Sequence, residues 1–190
     1  MNLQPLQDTP VVSVYFDCSN DWLFADWHGD LTLPQVQAGC LTVAECFLQR
    51  PCTRILNNNG DVRSLSAEVP QWLAREYLPH LGLAGIEYLA WVRPPNLLSQ
   101  RLVDETVNQV DVLRLALFDN LSDAYAWLHD SQFPHPEDPD ELSPDEKRHQ
   151  LSKRVATLSA ELAQNQNQAL ATEPDWPQGR AVAPAHLPQP

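Results

Sequence analysis

Gly85-Ile86-Glu87-Tyr88-Leu89-Ala90-Trp91-Val92-Arg93-Pro94-Pro95-Asn96 is the stretch on which the fold turns. Tyr88 to Val92 form an unbroken apolar run with no charge at either parity. A strand of that kind must be buried on both faces, which is the condition of a parallel strand covered by helices. Pro94-Pro95 ends the run. Asn96 can then accept hydrogen bonds from the first turn of a helix running to about Val110. A strand followed by a helix, with more of each on both sides, makes this an α/β chain.

Upstream, Val11 to Asp17 is rich in β-branched and aromatic residues and reads as a strand. Ser19-Asn20-Asp21 is a turn, and Trp22 to Trp27 a second strand, so the two form an antiparallel hairpin ended by Gly29. Thr32 and Gln35 make a capping box for a helix whose Val36, Cys40, Val43 and Phe47 face one way. Arg54 to Asn57 is a short strand entering Asn57-Asn58-Asn59-Gly60-Asp61, a strong turn signal. Ser66 is positioned to cap the next helix, marked by Val69, Trp72, Leu73, Tyr77 and Leu81 and expected to kink or end at Pro79. Downstream, Leu113 to Phe118 is the last strand, and Ser122 to His129 a helix turning Ala124, Trp127 and Leu128 inward. The expected architecture is α/β, with a mixed sheet of about five strands opening on an antiparallel hairpin and packed with about four helices.

Composition divides the chain near residue 131. Residues 8–130 read as the domain, 131–142 as a proline-rich acidic linker, 143–170 as an amphipathic helix and 171–190 as a disordered tail. The helix opens with Ser143-Pro144-Asp145-Glu146, and Leu151, Val155, Leu158 and Leu162 form its seam. Such a short seam needs a surface to dock on. A second copy or another protein is expected there, and docking on its own domain is the option ranked last. The net charge is −13, and residues 1–130 alone hold 16 acidic and seven basic side chains. Nucleic acid and anionic membranes, which require a basic face, are therefore not expected partners. The first residues lack a signal-peptide pattern and no apolar run reaches membrane-spanning length, so a cytoplasmic location is expected. Cys18, Cys40, Cys46 and Cys52 lack metal-ligand spacing and read as buried reduced thiols, with no metal and no cofactor implied.

The chain resembles the SpoIIAA-like family, relatives of the STAS domain of anti-sigma-factor antagonists and sulfate transporters. The resemblance covers most of residues 11–130. Trp27-His28-Gly29, Ile55-Leu56-Asn57-Asn58-Asn59, Gln71 to Pro79, Gly85 to Val92, and Phe118-Asp119-Asn120 with Ala124, Trp127 and Leu128 carry it. It implies a small bacterial cytosolic domain that binds a protein partner in signalling or stress regulation and is not an enzyme. In the antagonist branch a serine in an Asp-Ser-Ser-Gly type turn is phosphorylated. Asn57, Asn58, Asn59 and Gly60 occupy those positions here, so the acceptor hydroxyl is missing; Ser64 and Ser66 lie beyond the motif.

Three sites are candidates. Asn58, Asn59, Asp61, Arg63, Ser64 and Ser66, with Arg93 after the neighbouring strand, crowd the carboxyl ends of the strands, where α/β sheets receive ligands. They could hold a protein partner or a small molecule, some relatives being likened to lipid carriers; otherwise they satisfy a solvated turn. Asp26 and His28 share a parity on the second strand and could support acid-base chemistry. With no nucleophile beside them, they read instead as the charged face of an edge strand. The helix seam is the third. Trp27, Trp72, Trp91 and Trp127 fall at core phases, leaving Trp22 and Trp176 undetermined. No Walker A, His-Glu-x-x-His or Gly-x-Ser-x-Gly sequence occurs.

Overall fold

A computed structural model describes residues 1–110, 114–131 and 144–171, and its central feature is a six-stranded sheet. The strands are β1 (Leu3–Asp8), β2 (Val12–Asp17), β3 (Trp22–Leu31), β4 (Arg54–Leu65), β5 (Tyr88–Val92) and β6 (Arg114–Phe118). They lie side by side in chain order, β1-β2-β3 antiparallel and β3-β4-β5-β6 parallel. The α/β mixed sheet opening on a hairpin is as expected, with one strand more. The additional strand, β1, precedes the expected start of the domain at residue 8. Its Leu-Gln-Pro-Leu-Gln-Asp sequence holds no β-branched residue, and Pro5 is tolerated because β1 is an edge. Asn2 N–H ties its start to the Asp17 carboxylate at 3.0 Å.

Helices α1 (Leu33–Gln49), α2 (Val69–Trp72), α3 (Leu78–Leu83) and α4 (Leu97–Val107) join the parallel strands. The capping glutamine accepts from Thr32 N–H at 2.9 Å, and the Asn96 carboxamide accepts from Leu98 N–H at 2.9 Å, as the sequence predicts. Crossovers between sequential parallel strands are right-handed, which sends these helices to one face of the sheet. The larger core lies there, joining Val12, Leu23, Trp27, Ile55, Leu89 and Trp91 to Val36, Cys40, Phe47, Leu73, Leu81 and Val103. Helix α5 (Leu121–Asp130) covers the other face, where Trp22, Leu56, Tyr88 and Ala90 meet Ala124 and Leu128.

Four local expectations are corrected. Gly29 does not end β3; it takes φ +86° at an irregularity and the strand continues to Leu31. The asparagine-rich turn is not a turn, because β4 continues through it, with one extra residue accommodated between Asn58 and Asp61, and pairs with β3 as far as Leu65. Ser66 does not cap the following helix; Glu68 precedes it, and the Ser66 hydroxyl is buried without a hydrogen-bond partner. Pro79 does not end the helix, which continues through it as α3. Leu73–Tyr77 widens into a π-helical turn between α2 and α3, and a wider turn displaces the carbonyl that the proline ring would strike.

Helix α6 (Pro144–Ala171) packs on its own domain against α1 and α3. Leu151 and Val155 are buried in the same core as Phe47 and Leu81, Leu158 and Leu162 are half-buried, and Arg154 pairs with Glu76. The expectation that this helix stands away from the domain is therefore overturned. An apolar ledge on α1 and α3 outweighs the separation that proline punctuation suggested. The capping Ser143, the 132–142 part of the linker and the tail from 172 lie outside the described residues. Trp22 is completely buried, Trp27 and Trp91 nearly so, while Trp72 and Trp127 are only half-buried.

Candidate functional site

The seven residues expected to share one loop are distributed by strand alternation along β4 and beyond. Asn58 turns away from the larger core, its amide donating to the Asp26 carboxylate at 2.8 Å and its oxygen accepting from Gly60 N–H at 3.2 Å. Arg63 pairs with Asp30 at 2.7 Å, and Ser64 donates to the same carboxylate at 2.8 Å, all in solvent. A phosphate on Ser64 would meet that negative charge at hydrogen-bond distance, which is unfavourable. Asp61 is exposed opposite His28 in the β3–β4 register. Arg93 contacts Asp104 at 3.1 Å and Asp119 at 3.0 Å. Partial burial alone would lower its pKa; the two carboxylates reverse this and hold the guanidinium more firmly protonated. Only Asn59 faces the larger core, so the set forms no single site.

Asp26 and His28 stand on an interior strand, between β2 and β4, and not on an edge. Burial pushes the Asp26 carboxyl above its ordinary range, and Asp61 adds to this; the Asn58 amide and His28 act in the opposite sense. The register irregularity beside them lies in β4, where three steps from Asn58 to Asp61 oppose two from Asp26 to His28, so β3 keeps their shared parity.

What the structure does assemble is a cavity of about 50 Å³ between the sheet and the helices. Its floor is β3, β4 and β5, through Trp27, Leu31, Ile55, Asn57, Asn59, Leu65, Leu89 and Trp91. Its roof is α1 and the α2-to-α3 helix, through Val36, Cys40, Val43, Val69, Leu73, Tyr77, Leu78 and Leu81. Trp27 Nε1–H donates to Asn57 Oδ1 at 2.8 Å. An amide's orientation follows from its bonding network. For Asn59 that network has its oxygen accepting from Trp91 Nε1–H and its nitrogen donating to the Asn58 carbonyl at 3.3 Å. Two indoles on flanking strands thus hold two carboxamides on the central one.

Sequence reasoning placed the indoles at core positions and overlooked Asn57, because consecutive asparagines ahead of glycine carry turn chemistry. The available signal was period two: Ile55, Asn57 and Asn59 fall on the face of Trp91. Burial drives the Cys40 thiol and the Tyr77 hydroxyl well above their ordinary pKa values, and Cys46 and Cys52 to about 11. These groups stay protonated and poorly nucleophilic. Cys18, expected to be buried, is exposed on the β2–β3 turn. Among the described residues no cluster of His, Cys, Asp or Glu could hold a metal ion, and no helix is long and apolar enough to cross a membrane. Comparison with protein-family models, with curated proteins and with solved structures finds no match to this chain.

Proposed function

We propose that this chain is a non-enzymatic interaction module, a SpoIIAA-like regulatory domain of bacterial cytoplasmic signalling or stress response. Its partner presents an amphipathic helix to the apolar ledge of α1 and α3, in the position α6 holds in cis. The observation that carries the reading is the way α6 is held. Leu151 and Val155 are its buried seam, Arg154 reaches Glu76, and much of the helix surface is exposed. Helix-in-groove recognition uses this i, i+4 spacing, so a second helix with the same pattern fits the ledge. Charge favours the same occupant. In the first half of α6, Lys147, Arg148, Lys153 and Arg154 outnumber Asp145 and Glu146, against a domain rich in aspartate and glutamate. The partner helix should therefore combine an apolar seam with an arginine able to reach Glu76.

A peptide of residues 144–171 serves as the stand-in for that helix. Titrated into the full-length Leu151→Ser/Val155→Ser protein, it should bind saturably and shift backbone amide signals of α1 and α3. The unmodified chain should bind it at least about tenfold more weakly, because a tethered helix competes at an effective concentration of about millimolar. Absence of binding to the double variant, or equal binding to both, would remove the groove as a helix receptor.

A further inference from the structure

Parallel strands buried on both faces ordinarily carry aliphatic side chains inward. β4 carries two carboxamides, and both line the cavity under α1. Asn59 is 8% exposed. The oxygens of these amides are engaged by indoles: Asn57 Oδ1 accepts from Trp27, and Asn59 Oδ1 from Trp91. In that arrangement the Asn59 NH₂ occupies the position 3.4 Å from the Asn57 amide nitrogen. Two NH₂ groups therefore face one another at the floor of a space whose other lining is apolar apart from Cys40 and Tyr77. One Asn59 hydrogen is taken by the Asn58 carbonyl, which leaves its second hydrogen and the half-buried Asn57 NH₂ in want of an acceptor.

We infer that the cavity is a binding site for a small neutral carbonyl compound, its oxygen accepting from the Asn57 and Asn59 amides and its carbon body lying against Leu73 and Leu81. The oxygen supplies an acceptor for the Asn57 NH₂ and for the Asn59 hydrogen that the Asn58 carbonyl does not take. No charged side chain lines the cavity, so a carboxylate would be buried without a counter-charge. Neutrality follows from that. The volume of about 50 Å³ sets the size; at about 10–15 Å³ for each enclosed water in the same measure it is the room of roughly four waters, which suits a short ketone or amide. Helices α1 and α3 belong both to the roof of this site and to the helix-receiving ledge, but no described residue of α6 lines the cavity, so the two readings are tested separately.

Acetone and isobutene test the inference, since they share a shape and differ in the oxygen. With ¹⁵N-labelled full-length protein, acetone should shift the Asn57 and Asn59 side-chain NH₂ signals and the Trp27 and Trp91 indole signals saturably. Isobutene should bind at least tenfold more weakly, and Asn57→Leu should erase the preference for acetone. Should that variant fail to fold, the two probes on the unmodified protein decide by themselves. Equal response to both probes, or no saturable response to acetone, would overturn the assignment and leave the space to water.

Discussion

Gly39 occupies a position in α1 where a methyl group has no room. A Cβ there would lie 2.5 Å from the Trp27 ring, and that ring is pinned by its bond to Asn57. Alanine gains about 1 kcal/mol over glycine in a helix interior, whereas overpacking a core costs about 1–3 kcal/mol. Gly39→Ala should therefore lose up to about 2 kcal/mol in urea denaturation, and a gain in stability would mean the indole moves freely. Asp26 makes a second residue-scale case. Its folded pKa is raised, so the folded state binds more protons than the unfolded one between the ordinary carboxylate value and the raised one. Stability on its account increases as pH falls through that window. Asp26→Asn keeps the bond from Asn58 and should stabilise the protein at pH 7, the advantage shrinking on acidification; a gain independent of pH would refute the cause. Asp17 has the opposite sign. Burial alone would raise its pKa, yet hydrogen bonds from Asn2, Asn20 and Ser19 hold it below the ordinary value, and its contribution is lost when acid protonates it. The inward phase of Trp27 and Trp91 was legible in the sequence. The inward phase of Asn57 was not, since its side chain prefers turns and only tertiary pairing overrides that preference.

Among the elements, β4 separates a turn from a strand most sharply. If Gly60 closed a turn at positive φ, any side chain there would be strained; in the strand its φ is not in that region. An added Cβ would meet only the end of the flexible Asn58 side chain, at 3.2 Å. Gly60→Ala should thus be neutral or stabilising by up to about 1 kcal/mol, the usual penalty of glycine inside a strand. A loss above 1 kcal/mol in the same denaturation assay would favour the turn. Strands β2, β3, β5 and β6 and helices α1, α4 and α5 were legible because periodicity, caps and composition agree there. β1, the far half of β4 and the π-helical turn were not. Pairing partners distant in sequence stabilise the first two, and the third is an accommodation of Pro79 that residue spacing does not announce.

For the molecule as a whole, the docking of α6 changes which parts share one stability. Leu151 and Val155 belong to the core of the sheet, so replacing Leu151, Val155, Leu158 and Leu162 by serine should weaken the entire fold. Undocking worth about 2 kcal/mol corresponds to a melting temperature lower by about 4–8 °C for a chain of this size. An unchanged melting temperature, read by circular dichroism of the full chain, would show the helix to be a passenger. The strand order has a consequence in time. Each strand pairs with the one made just before it, and no later strand must insert between two earlier ones. The chain leaving the ribosome can lay down its sheet by accretion at a single growing edge, each addition finding its template complete. A truncated nascent chain is then a shorter version of the same sheet, in which the growing edge changes with every addition while the edge at β1, with its Pro5, stays as it was first made.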